Sequence, residues 1–346
     1  MAYTTIKKPS DYFNTKLYTG NSSTNNITGV GFQPDLTWLK CRDDSHNPIW
    51  FDAIRGVTKR LQSHSNAEES TVSNSLTSFD SDGFTLGSSG GENNNGNTYA
   101  SWNWLGANGT TSNTDGSITS TVSANTTSGF SIVSYTSTGS NATVGHGLGV
   151  APAMIIFKRR SGDTEHWLVY HKSLGATKNL KLNLTDPENT SSERFNNTEP
   201  TSSVFSLGIS GDVNGGTSPF IAYCFAEKTG FNKFGSYTGN ANADGTFVYT
   251  GFKPAWLMVK RTDSYGEWVI LDTKRADVPN ANITDQVLYA NLSSVEYSET
   301  QGIDLLSNGF KVRESGAGWC NASGASYIYM AIAEEPLVGD NPATAR

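Results

Sequence analysis

Three lysines and three asparagines are the residues whose recurrence in this chain could do chemistry. Lys40, Lys158 and Lys260 each end an apolar stretch, six residues after Pro34, Pro152 and Pro254. Asn93, Asn214 and Asn321 each stand six residues before an aromatic residue, Tyr99, Phe220 and Tyr327. A buried ammonium needs a strong acceptor, because an unpaired buried charge is costly. With a carboxylate alongside, lysine and asparagine can form a hydrogen-bonded pair or condense to an isopeptide crosslink with loss of ammonia. Asp52 and Asp272 could supply that acid, while His171 stands near the corresponding place in the middle of the chain. The plainer alternative is a lysine snorkelling to a strand rim and an asparagine capping a turn.

Little else points to catalysis. The five histidines, His46, His64, His146, His166 and His171, do not recur at equivalent places, and none has a partner at metal-ligand spacing. Asp80-Ser81-Asp82-Gly83 opens like a calcium loop but lacks the bidentate glutamate. Glu68-Glu69 and Glu334-Glu335 are adjacent pairs, and neighbours on a strand face opposite sides, so neither makes a glycosidase dyad. No zinc helix or P-loop occurs. We therefore expect a non-enzymatic protein with no cofactor or metal. Trp50, Trp167 and Trp268 invite sugar stacking, but an aromatic residue at one place in three segments is better read as a core anchor. Tyr265, Trp319, Tyr297 and Phe195 lie in expected loops and are the candidates for surface recognition.

The elements that would hold these residues are hairpins. Residues 31–50, 149–167 and 251–268 share one pattern: proline, an apolar run, lysine, a polar turn and a returning tryptophan. Proline opens a strand where no ladder N–H is needed, and a strand apolar on both faces is central in its sheet. Around each hairpin stand a tyrosine near a turn (Tyr18, Tyr135, Tyr237), a leucine strand (Leu61, Leu180, Leu288), a phenylalanine strand (Phe84, Phe205, Phe310) and the aromatic closing strand. A period near ~100 residues suits whole domains in tandem, not solenoid coils.

The expected fold is all-β: three tandem β-sandwich repeats of jelly-roll or lectin-like type, joined by short linkers. Each should have its own core, with Trp38, Trp50, Phe84 and Trp102 in the first and Ile156, Trp167, Phe205 and Tyr223 in the second. The expected divisions are a leader over residues 1–11 that docks on a neighbour and a first sandwich over 12–105. A Gly/Ser/Thr/Asn-rich linker follows over 106–128, with room for one short edge strand. Sandwiches over 129–227 and 228–336 and a tail over 337–346 complete the chain. Residues 51–61 and 284–292 could each add a turn or two of helix.

Composition narrows the class further. The 346 residues are 36% hydrophobic and only 16% charged, with net charge −7 and no basic run, which argues against a nucleic-acid partner. The longest apolar run, near Tyr327, is too short to span a bilayer. The N-terminal residues lack the apolar core of a signal peptide. Cys41, Cys224 and Cys320 are odd in number and occupy non-equivalent places, so we expect free, buried thiols and synthesis in a reducing cytoplasm.

The strings KPSDYFNTKLYTGN, DAIRGVTKRLQS, LTSFDSDGFTLG and GSNATVGHGLGVAPAMIIFKRR resemble repeated β-domains of tailed-bacteriophage virion proteins, those of marine phages in particular. The resemblance covers nearly all of residues 8–336. It implies a virion component made in the bacterial cytoplasm, part of a tail fibre or tail appendage with a role in host attachment. A capsid decoration or knob protein and a carbohydrate-binding module are the alternatives. It further implies, as partners, other virion proteins, copies of the chain itself in an oligomer such as a trimer, and bacterial surface polysaccharide. It supplies no catalytic residue.

Overall fold

The computed structural model describes residues 4–276 and 283–336; the expected tail over 337–346 lies outside them. The described chain is all-β, with strands gathered into three large sheets and smaller layers packed on them. Each large sheet is built around one of the three hairpins. In the first, the order is Phe13–Thr19, Thr98–Trp104, Leu36–Cys41, Ile49–Asp52, Lys59–Gln62 and Ser70–Thr71. In the second, Phe130–Thr136, Pro219–Phe225, Met154–Arg159, Leu168–His171 and Lys178–Lys181 follow the same path. In the third, Asn232–Thr238, Ser326–Pro336, Phe252–Arg261, Trp268–Asp272 and Ile283–Tyr289 do so again. The proline-led strand lies between the closing strand and the tryptophan strand each time, which accounts for its two apolar faces.

Alternation along these strands sends their side chains to two different cores. Trp38, Ile156 and Met258 point to one side, and Leu39, Phe157 and Val259 to the other. The second set meets a small layer belonging to the same segment. That layer is Asn25–Thr28, Gly83–Leu86 and Leu76–Asp80 on the first sheet, and Ala142–Gly145 with Val204–Leu207 on the second. On the third sheet it is Tyr297–Leu306, Gly309–Val312 and Phe247–Tyr249. The first set meets the other two large sheets. One continuous cluster contains Trp38, Trp50, Trp102, Trp104, Ile156, Trp167, Tyr223, Trp256, Met258 and Trp268. Ring contacts cross every boundary: Trp50 lies 5.3 Å from Trp167, Phe225 lies 6.5 Å from Phe234, and Trp104 lies 6.0 Å from Trp256.

This corrects the expectation of a separate core for each sandwich. Trp38, Trp50 and Trp102 do not share a core with Phe84, which belongs to the small layer of the first sheet. Other boundaries change for the same reason. Residues 106–128 are not a free linker: Thr111–Asn113 and Ser120–Asn125 extend the second sheet beside Phe130–Thr136. The leader docks on its own chain, with Ile6 buried in the common core. Residues 51–61 and 284–292 form no helix; strands Lys59–Gln62 and Ile283–Tyr289 occupy them. Helix is confined to single turns, Gly90–Asn93, Ser192–Phe195, Gly211–Asn214 and the 3₁₀ turn Pro9–Asp11, among the described residues.

A shared core should make the chain melt as one unit. Calorimetry is expected to give one transition whose calorimetric and van't Hoff enthalpies agree, and Trp167→Ala should destabilise the whole by about 3–5 kcal/mol. Three resolvable transitions would contradict the shared core.

Candidate functional site

The lysines and asparagines are all buried, but they do not meet. Lys40, Lys158 and Lys260, at 1%, 0% and 0% exposure, follow Trp38, Ile156 and Met258 by two residues and so lie on the common-core side of their strands. Each reaches across to a loop of a neighbouring segment. Lys40 Nζ donates to the Ser293 carbonyl (2.8 Å) and to His46 O (2.8 Å). Lys158 Nζ donates to Asn66 O (3.0 Å) and Glu165 O (2.6 Å). Lys260 Nζ donates to Thr185 O (3.1 Å) and Arg261 O (2.7 Å). Asn66, Thr185 and Ser293 each stand five residues after the strand leucine. The first sheet thus holds the third segment, the third holds the second, and the second holds the first. The cycle closes within one chain.

The same seams carry further bonds. Backbone N–H groups of Glu69, Glu188 and Glu296 donate to Arg160 O (2.9 Å), Thr262 O (2.8 Å) and Arg42 O (2.7 Å). Glu69 and Glu296 also accept paired bonds from Arg160 and from Arg42. The supposed acids of the lysine–asparagine pair belong to this network instead. Asp52 is ion-paired with Arg55 and accepts from Tyr223 Oη (2.7 Å) on the second sheet. Asp272 binds Arg275 (2.6 Å) and accepts from Trp102 Nε1 (3.0 Å) on the first. His171 takes their place on the second sheet, with Nε2 3.2 Å from the Tyr329 carbonyl on the third. The seam role of the three glutamates, each eight residues after its strand leucine, escaped the sequence reading, as did the arginine three residues after Asp52 and Asp272.

The asparagines staple the small layers. Asn93 Oδ1 accepts from Asn21 N (2.9 Å), Asn214 Oδ1 from Thr138 N (2.9 Å) and Asn321 Oδ1 from Asn240 N (2.9 Å). Their amide groups donate to Gly87 O (2.6 Å), Gly208 O (2.8 Å) and Glu314 O (2.6 Å), just beyond the phenylalanine strands. Tyr18, Tyr135 and Tyr237 each donate to the carbonyl preceding the asparagine, at 2.7, 2.7 and 2.9 Å. The Lys–Asn pair and its crosslinked form are therefore corrected. Lysine faces the common core and asparagine the small layer, with the sheet between them. The rim-lysine alternative fails too, since all three lysines are buried.

The aromatic candidates separate. Tyr265 is 70% exposed at its hairpin turn. Tyr297 is half-buried, its hydroxyl 2.8 Å from that of Tyr289, and Trp319 is half-buried against the third small layer. Phe195 is corrected outright: at 3% exposure it packs on Phe157 and Tyr170 and is unavailable to a ligand. Trp50, Trp167 and Trp268 are buried, which removes the sugar-stacking reading for them. Asp82 accepts the backbone N–H groups of Gly29 and Gly31, bracing a turn. His146 and His171 are buried and bonded to backbone. No group of three or more potential metal ligands occurs among the described residues. The three cysteines are free and buried.

Burial lowers each seam lysine to about 8. The unfolded chain holds those protons up to about pH 10.4. Between the two values the unfolded state therefore binds more protons, and each lysine raises stability with pH by about 1.4 kcal/mol per unit. Buried Cys224 and Cys320, raised by burial, act in the opposite sense above their ordinary range. The lysine contribution is thus read as a difference: Lys158→Met should flatten the rise between pH 8 and 10.4 relative to the unaltered chain in paired denaturant titrations. Asn214→Ala, which orphans Gly208 O and Thr138 N, should cost about 2–3 kcal/mol at pH 7 in the same measurement.

Neither a curated protein nor a solved structure matches the chain. A family model does, and it runs unbroken over residues 8–336, through all three sheets and the strands between them. The chain belongs to the family described as a domain of unknown function, DUF7483.

Proposed function

We propose that the chain is a non-enzymatic structural protein of a bacteriophage particle, part of a tail fibre or related tail appendage that attaches to the host surface. The observation that carries this reading is the closed cycle of seams. Buried lysines, glutamate-to-backbone bonds and aromatic contacts join each sheet to both others, so no sheet can peel away without opening the common core. Such a brace suits a part that must bear load outside a cell with free thiols and no disulfide. The sequence resemblance, which covers nearly all of residues 8–336, supports the same reading.

A second reading draws on the same cycle. A single chain presenting three related faces matches a three-fold position on a head shell, so a decoration protein would use this build equally well. The partners in either case are other virion proteins, and the particle would assemble in the bacterial cytoplasm.

Peptide mass spectrometry of gradient-purified particles should find the chain, and a gold-labelled antibody should mark the tail end. Gold over the head would favour the decoration reading. Absence of the chain from purified particles would overturn both.

A further inference from the structure

Among the described residues, the strand Phe247–Tyr249 is the last of the third sheet and pairs on one side only, with Gly309–Val312. Its middle residue, Val248, is buried in the small layer, while Phe247 and Tyr249 are 45% and 54% exposed. Residues two apart on a strand share a face, about 7 Å apart, so the two rings form one outward platform. Lys311 stands opposite Phe247, and Gly309, with no side chain, stands opposite Tyr249, whose ring is left open. Lys311 is ion-paired with Asp244, a carboxylate 80% exposed, and Arg313 lies 4.0 Å from the same carboxylate.

Nothing in the fold asks for these rings. The strands that occupy this place in the other segments are Asn25–Thr28 and Ala142–Gly145, which pair with the corresponding phenylalanine strands. There the inner residue is again aliphatic, Ile27 or Val144; the flanking ones are Asn26 and Thr28, both exposed, or Thr143 and Gly145, the glycine being covered by Asn113. The inner residue serves packing in all three; only the third segment spends aromatic surface on solvent.

We propose that Phe247 and Tyr249 form a polysaccharide-binding platform, stacking on the C–H faces of sugar rings while Asp244 and Lys311 hold their hydroxyl groups. Area selects this occupant. The two rings expose roughly 200 Å² together, about a quarter of the ~800 Å² per partner that a stable protein interface buries. A short run of neutral sugar rings needs no more than that, and a few charged groups beside an apolar platform supply its orientation. The proposal deepens the attachment role and rests on it for its biological meaning, but the binding is testable alone.

The full chain is run through native gels containing laminarin, dextran, mannan or agarose-derived oligosaccharide. At least one should retard it. Phe247→Ala and Tyr249→Ala should each weaken that retardation tenfold or more, and Asp244→Asn severalfold, with melting temperatures unchanged because all three residues are exposed. Retardation by none of the four, or equal retardation of the Phe247→Ala/Tyr249→Ala double variant, overturns the platform. So does a concentration-dependent dimer that Tyr249→Ala abolishes, which would make this edge a protein contact. Adsorption of labelled chain to bacterial cells separates the two readings. Adsorption retained by the double variant removes the platform and leaves attachment standing. Sugar binding at the platform without adsorption to cells keeps the site and removes the attachment role.

Discussion

Each large sheet has two apolar faces, and its own small layer covers only one. Everything else in the architecture follows from that imbalance. The uncovered face carries tryptophans at Trp38, Trp50, Trp102, Trp167, Trp256 and Trp268, and exposing so much aromatic surface would invite aggregation. Three such faces turned toward one another solve the problem together, as no single sheet could. The leader, with Ile6, and the strands around residue 122 then close remaining gaps at the margins. A head-to-tail contact usually makes rings from separate subunits; here the rotation closes after three steps of one polypeptide.

The seam lysines show how the closure is given direction. A buried ammonium with only carbonyl partners is poor economy for stability alone, because its desolvation is offset only in part by hydrogen bonds. It does, however, accept one geometry. Each lysine finds one carbonyl near its own hairpin and one on the next segment, so a sheet docked in the wrong order or register would leave a buried charge unpaired. The aromatic surfaces supply attraction with little discrimination, and the lysines supply discrimination at some cost.

Much of this was legible in the chain. The proline-to-lysine spacing located the central strand of every sheet, since proline excludes a ladder N–H and the run after it is apolar on both faces. The closing strand and its asparagine were legible for similar reasons. What a strand buried on both faces cannot disclose is whose side chains cover it, and so the common core went unseen. Phe195 misled because it stands in a polar stretch, yet the one-turn helix Ser192–Phe195 folds it back onto Phe157. Residues 106–128 misled because their Ser and Thr content reads as loose, although Thr and Val at alternating places also suit an edge strand, and Val122 is buried there. The Lys–Asn pairing failed on parity: residues placed on opposite faces of one sheet stay apart however regularly they recur.

Building three related segments into one chain, instead of assembling three copies, has a consequence for where function can lie. In a homotrimer every surface residue appears three times, so an altered residue is altered everywhere. In a single chain each segment can drift alone wherever the seams tolerate it, and they visibly do. His171 stands where the others have Asp52 and Asp272. Trp167 and Trp268 donate their indole N–H to Gln62 O and Lys181 O, whereas Pro48 holds that place in the first segment and Trp50, opposite Trp38, has no indole hydrogen-bond partner among the described residues. The common elements are therefore read as scaffold, since all three segments need them to close the ring. Recognition belongs where the segments differ and the fold is indifferent. The outer positions of Phe247–Tyr249 meet both conditions, because the neighbouring segments fill the same place with small or polar residues and pack as well without the rings.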